Sequence, residues 1–278
     1  MGSVPTAAAT RTDRPELEGL IVPMSSTPGI IRHGVDFSGA TSGGSGIRVA
    51  TRRPGEPVEE VRRLDRAGLR REILAGLQGD STQGHLWLID APFGIPIATL
   101  EACGVEPDWS SSIQWLASFP NPREWRRAVR RTIRKEPKRW ADRASATPLA
   151  SMNLRVFKQT WTVMVEVLAP LVLEGVRVEP MAGPLDSRVV VAEGCPASIL
   201  KRGGDSARGY KGRDDANRVR REQIMDRAVR DWGLQVAGTV PSRCIGDAGG
   251  DDLDAVLLTL EAWQGPPPPE ARIEGWVW

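Results

Sequence analysis

Four separate stretches of the chain carry carboxylates in settings where an acid is costly or chemically suggestive. Asp36 lies in Arg32-His33-Gly34-Val35-Asp36-Phe37-Ser38-Gly39-Ala40, behind the apolar pair Ile30-Ile31. Asp90 closes the run His85-Leu86-Trp87-Leu88-Ile89, and Glu193 closes Val189-Val190-Val191-Ala192. Asp251 and Asp254 stand three apart in Gly249-Gly250-Asp251-Asp252-Leu253-Asp254-Ala255 and so face the same way on a helix. Carboxylates gathered in a core must be protonated, paired or share cations. No Ser/His/Asp signature and no Gly-x-Gly-x-x-Gly fingerprint accompanies them. Hard, oxygen-only ligands favour Mg2+ or Mn2+. Two such ions about 4 Å apart can activate a water and stabilise the leaving oxygen in phosphodiester hydrolysis. A plainer account exists for each acid alone. Asp36 can cap its strand, and capping and the helix macrodipole explain one or two of the aspartates at 251–254. The chemical reading depends on whether other carboxylates converge on Asp36.

Convergence requires an α/β sheet with the acids along one edge. Strands are predicted over about 30–37, 46–52, 57–63, 85–90 and 186–193, with the glycine run 43–46 turning the first hairpin. Apolar residues at 69, 73, 74 and 77 predict a helix over 66–77, stopped by Gly79-Asp80. The prolines of Ala91-Pro92-Phe93-Gly94-Ile95-Pro96 force an abrupt exit after Asp90. Residues 97–180 read as a mainly helical insertion. Within it, Trp125, Val129 and Ile133 stripe a helix over 123–140, and a second long helix covers 153–173. A mobile glycine-rich loop is expected over 201–216, a charged helix over 217–231, and a late helix opening at Asp251. A short extended segment is expected at 273–278. Three strands thus end in an acid, at the sheet edge where α/β sites form.

The 278 residues, 40% of them hydrophobic, support a sizeable core, and net charge is only +2. Charge is nevertheless segregated. Residues 123–143 hold ten Lys/Arg against three acids, so the remainder carries more acid than base. Such a run is either a solvated helix face or a polyanion-binding surface, with Arg126, Arg127, Arg130 and Arg131 as backbone contacts. Lys211 and Arg213 in the glycine-rich loop are candidate phosphate contacts. Trp125 and Trp140, set among arginines, are the candidates for base stacking. Three scattered cysteines form no Cys-x-x-Cys pair, which argues against a disulfide framework or zinc site and fits a reducing cytoplasm. His33 and His85 read as packing residues. No apolar run is long enough to span a membrane, so no membrane partner is expected. Residues 1–25 read as a mobile tail, leaving one domain over 26–278.

Gly-Val-Asp-Phe-Ser-Gly (34–39), Ile-Asp-Ala-Pro-Phe-Gly-Ile-Pro (89–96), Glu-Gly-Cys-Pro-Ala (193–197) and Asp-Asp-Leu-Asp-Ala (251–255) occur in that order. The set resembles the family usually described as predicted RNase H-like nucleases, over about residues 30–278. Asp251-x-x-Asp254-Ala255 is also similar to the final helix of RuvC-type Holliday junction resolvases. The resemblance implies an RNase H-like mixed sheet flanked by helices, with acids gathered at one edge. It gives Asp36 the first-strand metal-ligand role and later ligand roles to Glu193, Asp251 and Asp254, with Asp252 as a nearby substitute. Asp90 fits the Asp-Ala-Pro motif and either binds metal or holds the turn. The leading expectation is a Mg2+- or Mn2+-dependent nuclease acting on DNA or RNA. The rivals are a phosphotransferase or ATPase of the actin-like fold, and a non-catalytic nucleic-acid-binding protein. No internal repeat supplies the second phosphate hairpin that the phosphotransferase needs.

Overall fold

The structure, a computed structural model, describes residues 29–39, 46–78, 83–147, 149–260 and 266–278. The tail at 1–25, the hairpin glycines at 43–45 and the Gly79-Asp80 stop lie outside the described residues.

Each apolar run ending in an acid becomes a strand of one mixed sheet. The strands are β1 (Ile31–Asp36), β2 (Ile47–Arg52), β3 (Val61–Leu64), β4 (His85–Asp90), β5 (Arg177–Glu179) and β6 (Val189–Glu193), in the order β3-β2-β1-β4-β6-β5. β2 is antiparallel to both β1 and β3, whereas β1, β4, β6 and β5 are mutually parallel. β5 falls inside the block expected to be helical. Its three residues are too few to display an alternation.

After β3 comes α1 (Arg66–Gln78), as the spacing predicts. Between β4 and β5 run α2 (Ile97–Ala102), α3 (Trp109–Ala117), α4 (Pro122–Thr132), α5 (Trp140–Ala144), α6 (Phe157–Thr162), a π-helical segment (Val163–Leu168) and α7 (Ala169–Leu173). After β6 come α8 (Pro196–Arg202), α9 (Asp215–Asp231), α10 (Val240–Gly246), α11 (Asp251–Leu257) and α12 (Ala271–Glu274). α4 is shorter than the expected 123–140, because Ile133 turns extended (φ −119, ψ 118) and ends it. The C-terminal segment is a helical turn followed by Val277 bridged to Glu193, only partly the extended piece expected. No helix among the described residues is long and apolar enough to cross a membrane.

Strand alternation divides the two faces. On one, Val35, Phe37, Val49, Trp87, Ile89, Val189 and Val191 pack against α1 and the helical block. On the other, Ala50, Leu88 and Ala192 pack against Leu253, Val256 and Leu257 of α11, backed by Ile224, Met225 and Ala228 of α9. α11 lies unusually close to β1. A Cβ on Gly34 would sit 2.0 Å from the Ala255 carbonyl oxygen. That contact sets the depth at which the late helix meets the first strand.

The histidines are packing residues. His33 stacks on Trp87 with centroids 3.7 Å apart, and its Nε2 lies 3.1 Å from His85 Nδ1. Burial lowers the His33 pKa well below its ordinary value, so the ring is held neutral.

Candidate metal centre

Asp36 and Asp90 end neighbouring parallel strands and are direct register partners, so their side chains leave the same face side by side. Asp254 comes down on that face from the first turn of α11, because Gly34 lets the helix approach. One carboxylate oxygen from each of Asp36, Asp90 and Asp254 lies within 4.8 Å of the others. Three elements therefore deliver three acids to one point. Asp251, one turn before, lines the same cleft at its rim.

The cluster is electrostatically strained. Burial, then the charges of Asp254 and Asp90, pushes the Asp36 carboxyl well above the usual range. Burial, then Asp254, pushes Asp90 up to about 7. Burial also raises Asp254, against the opposing pull of Lys211. Asp251 is raised by burial and then by Asp247. Such a site holds extra protons or takes a cation.

The loop over 201–216 is not the loose segment expected. Tyr210, the chain's only tyrosine, is buried and donates its hydroxyl to Asp254 Oδ1 at 2.9 Å. Lys211 Nζ meets Asp254 Oδ2 at 2.6 Å. Arg221 of α9 donates to the Tyr210 and Gly212 carbonyls, and Gly212 N–H donates to Ala248 O. Gly250 has φ +76, and a Cβ there would lie 3.0 Å from the Tyr210 ring, so the turn opening α11 accepts the loop at close range.

Two acids expected as ligands are not among the three converging carboxylates. Glu193 pairs in register with Ile89, not Asp90, so it leaves its strand on the other side of the pleat; it still lines the cleft, and its charge acts on Asp90, but its oxygens are taken by Arg139. The next residue, Gly194, occupies the aspartates' side, where a Cβ would strike Leu258. Both Glu193 oxygens are engaged by Arg139, with Oε1–Nη2 at 2.6 Å and Oε2–Nη1 at 2.7 Å. Phe93 N–H adds a bond to Oε2 at 2.9 Å. Arg139 also binds Asp142 Oδ1 at 2.7 Å and the Glu274 carbonyl at 3.0 Å. All three charged side chains are almost fully buried, and the network ties β6, α5 and α12 together. Asp252 sits one residue from Asp251 and so faces away on the helix. It pairs with Arg48 Nε at 2.9 Å and Arg243 Nη2 at 3.0 Å.

The expected phosphate contacts also separate. Lys211 lines the cleft, whereas Arg213 does not. None of Arg126, Arg127, Arg130 and Arg131 lines it. Arg126 pairs with Glu136 at 3.3 Å, Arg127 with Glu124 at 2.7 Å, and Arg130 bonds the Arg134 carbonyl at 2.6 Å. Trp125 is fully buried and cannot stack on a base, while Trp140 is exposed with Arg143 over its ring, away from the cleft lining. Arg139 and Tyr210 were not marked as site-shaping by their sequence context. The one available signal was a lone tyrosine between glycines in Arg208-Gly209-Tyr210-Lys211-Gly212.

The cleft above the aspartates has a volume of about 870 Å3. Its oxygen-only donors and absence of histidine or thiolate at the cluster fit a hard divalent ion such as Mg2+ or Mn2+. Cys195 lines the cleft, but burial pushes its thiol up to about 12, so it is no thiolate ligand. Comparison with protein-family models, curated proteins and solved structures found no match.

Proposed function

We propose that the chain is a divalent-cation-dependent nuclease of RNase H-like fold that hydrolyses phosphodiester bonds of nucleic acid. One observation carries the reading: Asp36, Asp90 and Asp254 reach one point from two parallel strand ends and a helix, at the floor of an open cleft. The gathering of acids at one edge of the mixed sheet is what the family resemblance leads one to expect, and it supports the fold assignment.

The residues divide the work by position. Asp36, Asp90 and Asp254 present the oxygen donors for Mg2+ or Mn2+, with Asp251 close by at the rim. Bound there, such ions supply an activated water and neutralise charge on the leaving oxygen. Tyr210 fixes the rotamer of Asp254 through its hydroxyl. Lys211 places a positive charge where a substrate phosphate approaches the acids. Without a cation, the raised carboxyls keep a proton that cation binding releases, so uptake tightens as pH rises.

The test is cleavage of labelled single-stranded, duplex, branched and RNA substrates with Mg2+, with Mn2+ and with EDTA. Metal-dependent cleavage that is lost in Asp36→Asn and Asp254→Asn supports the proposal. Nucleotide turnover without strand cleavage replaces it with a phosphotransferase, and neither activity replaces it with a binding protein.

A further inference from the structure

Two of the cations that line the cleft come from the residues at and just before the start of α6, and the arginine-rich helix α4 contributes none. Arg155 and Lys158 line the cleft beside Asp36 and Asp90. Arg155 is exposed and Lys158 half-buried, and neither forms an ion pair among the described residues. Their place is fixed by backbone packing. A Cβ on Gly39 would lie 2.5 Å from Gln159 N and 2.7 Å from Lys158 C. Gln159 Nε2 donates to the Phe37 carbonyl at 2.6 Å. The segment leaving β1 immediately after Asp36 is thus clamped to the start of α6. Lys211 stands on the other side, tied to Asp254. Positive charge therefore enters the cleft from two elements, the start of α6 and the 201–216 loop.

The same lining lacks a platform for bases. Its aromatic residues among the described residues are Phe37 and Tyr210, which are 1% and 5% exposed. Base stacking is the usual sequence-tolerant grip on an unpaired strand, and base-edge contacts are the usual source of specificity. With both rings buried and the one lining amide, Gln159, tied to the Phe37 carbonyl, the exposed charge favours contact with phosphates.

We propose that Arg155 and Lys158 form, with Lys211, the substrate track of this cleft, and that it grips a nucleic-acid strand through its phosphates without regard to base sequence. This rests on the nuclease reading above and assigns the polyanion contact to the start of α6 instead of α4.

The test is fluorescence anisotropy with labelled oligo-dT, oligo-dA and mixed-sequence strands across a salt series, with Ca2+ as the divalent ion. Wild type, Arg155→Gln/Lys158→Gln and Arg127→Gln/Arg131→Gln are compared after thermal melts confirm that each is folded. The cleft pair is expected to weaken binding about tenfold and to lower the slope of log K against log salt by about two. The α4 pair is expected to change neither, and the homopolymers to bind alike. Arg155→Lys should retain affinity. Loss of binding in the α4 pair with retention in the cleft pair overturns the track and leaves the nuclease reading intact. So does a strong preference for one homopolymer, which overturns backbone-only recognition. Failure of wild type to bind any strand removes the nuclease reading and the track with it.

Discussion

Gly34 and Ala255 meet backbone to backbone: a Cβ on Gly34 would lie 2.0 Å from the Ala255 carbonyl oxygen and 2.7 Å from Leu258 Cβ. This contact joins the first strand to the late helix and brings Asp254, one residue before Ala255, over Asp36. Backbone cannot yield as a flexible side-chain end can. Gly34→Ala is therefore expected to cost about 3 kcal/mol or more, with a fall of several degrees in thermal midpoint. Gly194→Ala should cost less, because its nearest obstacle at 2.5 Å is the end of the Leu258 side chain. Thermal melts of the two variants check the order.

Glu193 and Asp36 should separate stability from cation binding. Glu193→Ala leaves the buried Arg139 guanidinium with only Asp142 as charged partner, and a broken buried pair costs about 3–5 kcal/mol. Asp36→Asn removes like-charge repulsion from Asp254 and Asp90. It should leave the metal-free protein as stable as wild type or more so, while abolishing cation uptake. Denaturant unfolding without metal, paired with cation titration, reads both effects.

The pH dependence follows from Asp90. Its folded-state value of about 7 lies above the ordinary 3.8, so the folded chain holds a proton that the unfolded chain has released in between. That contribution is complete at low pH and is lost as pH rises from about 4 through about 7. Metal-free wild type should lose stability across this window, and Asp90→Asn should lose less. Added Mg2+ or Mn2+ should restore stability most at the high end. Melts at pH 5 and pH 8 with and without cation measure it.

Lys211 competes with a bound cation. Its ammonium lies 2.6 Å from Asp254 Oδ2, and a positive charge that close disfavours a second one. Lys211→Met is expected to tighten Mn2+ binding by about tenfold, while weakening contact with nucleic acid. Calorimetry and anisotropy on the one variant should move in opposite directions.

Most of the fold was legible because the strands announce themselves. Val189–Ala192 and Leu86–Ile89 are apolar runs that only a sheet covered on both faces can bury. Asp36 and Asp90 could be named because each ends an apolar strand run, and Asp254 because capping accounts for only one or two of the aspartates that open its helix. Glu193 looked the same in sequence and does line the cleft, yet strand parity keeps it out of the three-carboxylate point. Register against β4 places it beside Ile89, and a period of two sends it to the other side of the pleat. Register is a tertiary property that the run of valines does not encode. Asp252 was ambiguous for a related reason, since consecutive helix positions look alike until Arg48 and Arg243 claim one of them. The arginine run of α4 suggested a binding face, but none of Arg126, Arg127, Arg130 and Arg131 lines the cleft, and Arg126 and Arg127 are paired with Glu136 and Glu124. β5 was too short to read.

The central claim is that Asp36, Asp90 and Asp254 hold a divalent cation while Asp252 stands outside. Calorimetric titration of Mn2+ into wild type, Asp36→Asn and Asp252→Asn at pH 8 tests it most directly. Binding by wild type and Asp252→Asn, with none in Asp36→Asn, is the predicted result. No uptake by wild type, or equal uptake by Asp36→Asn, would contradict the account.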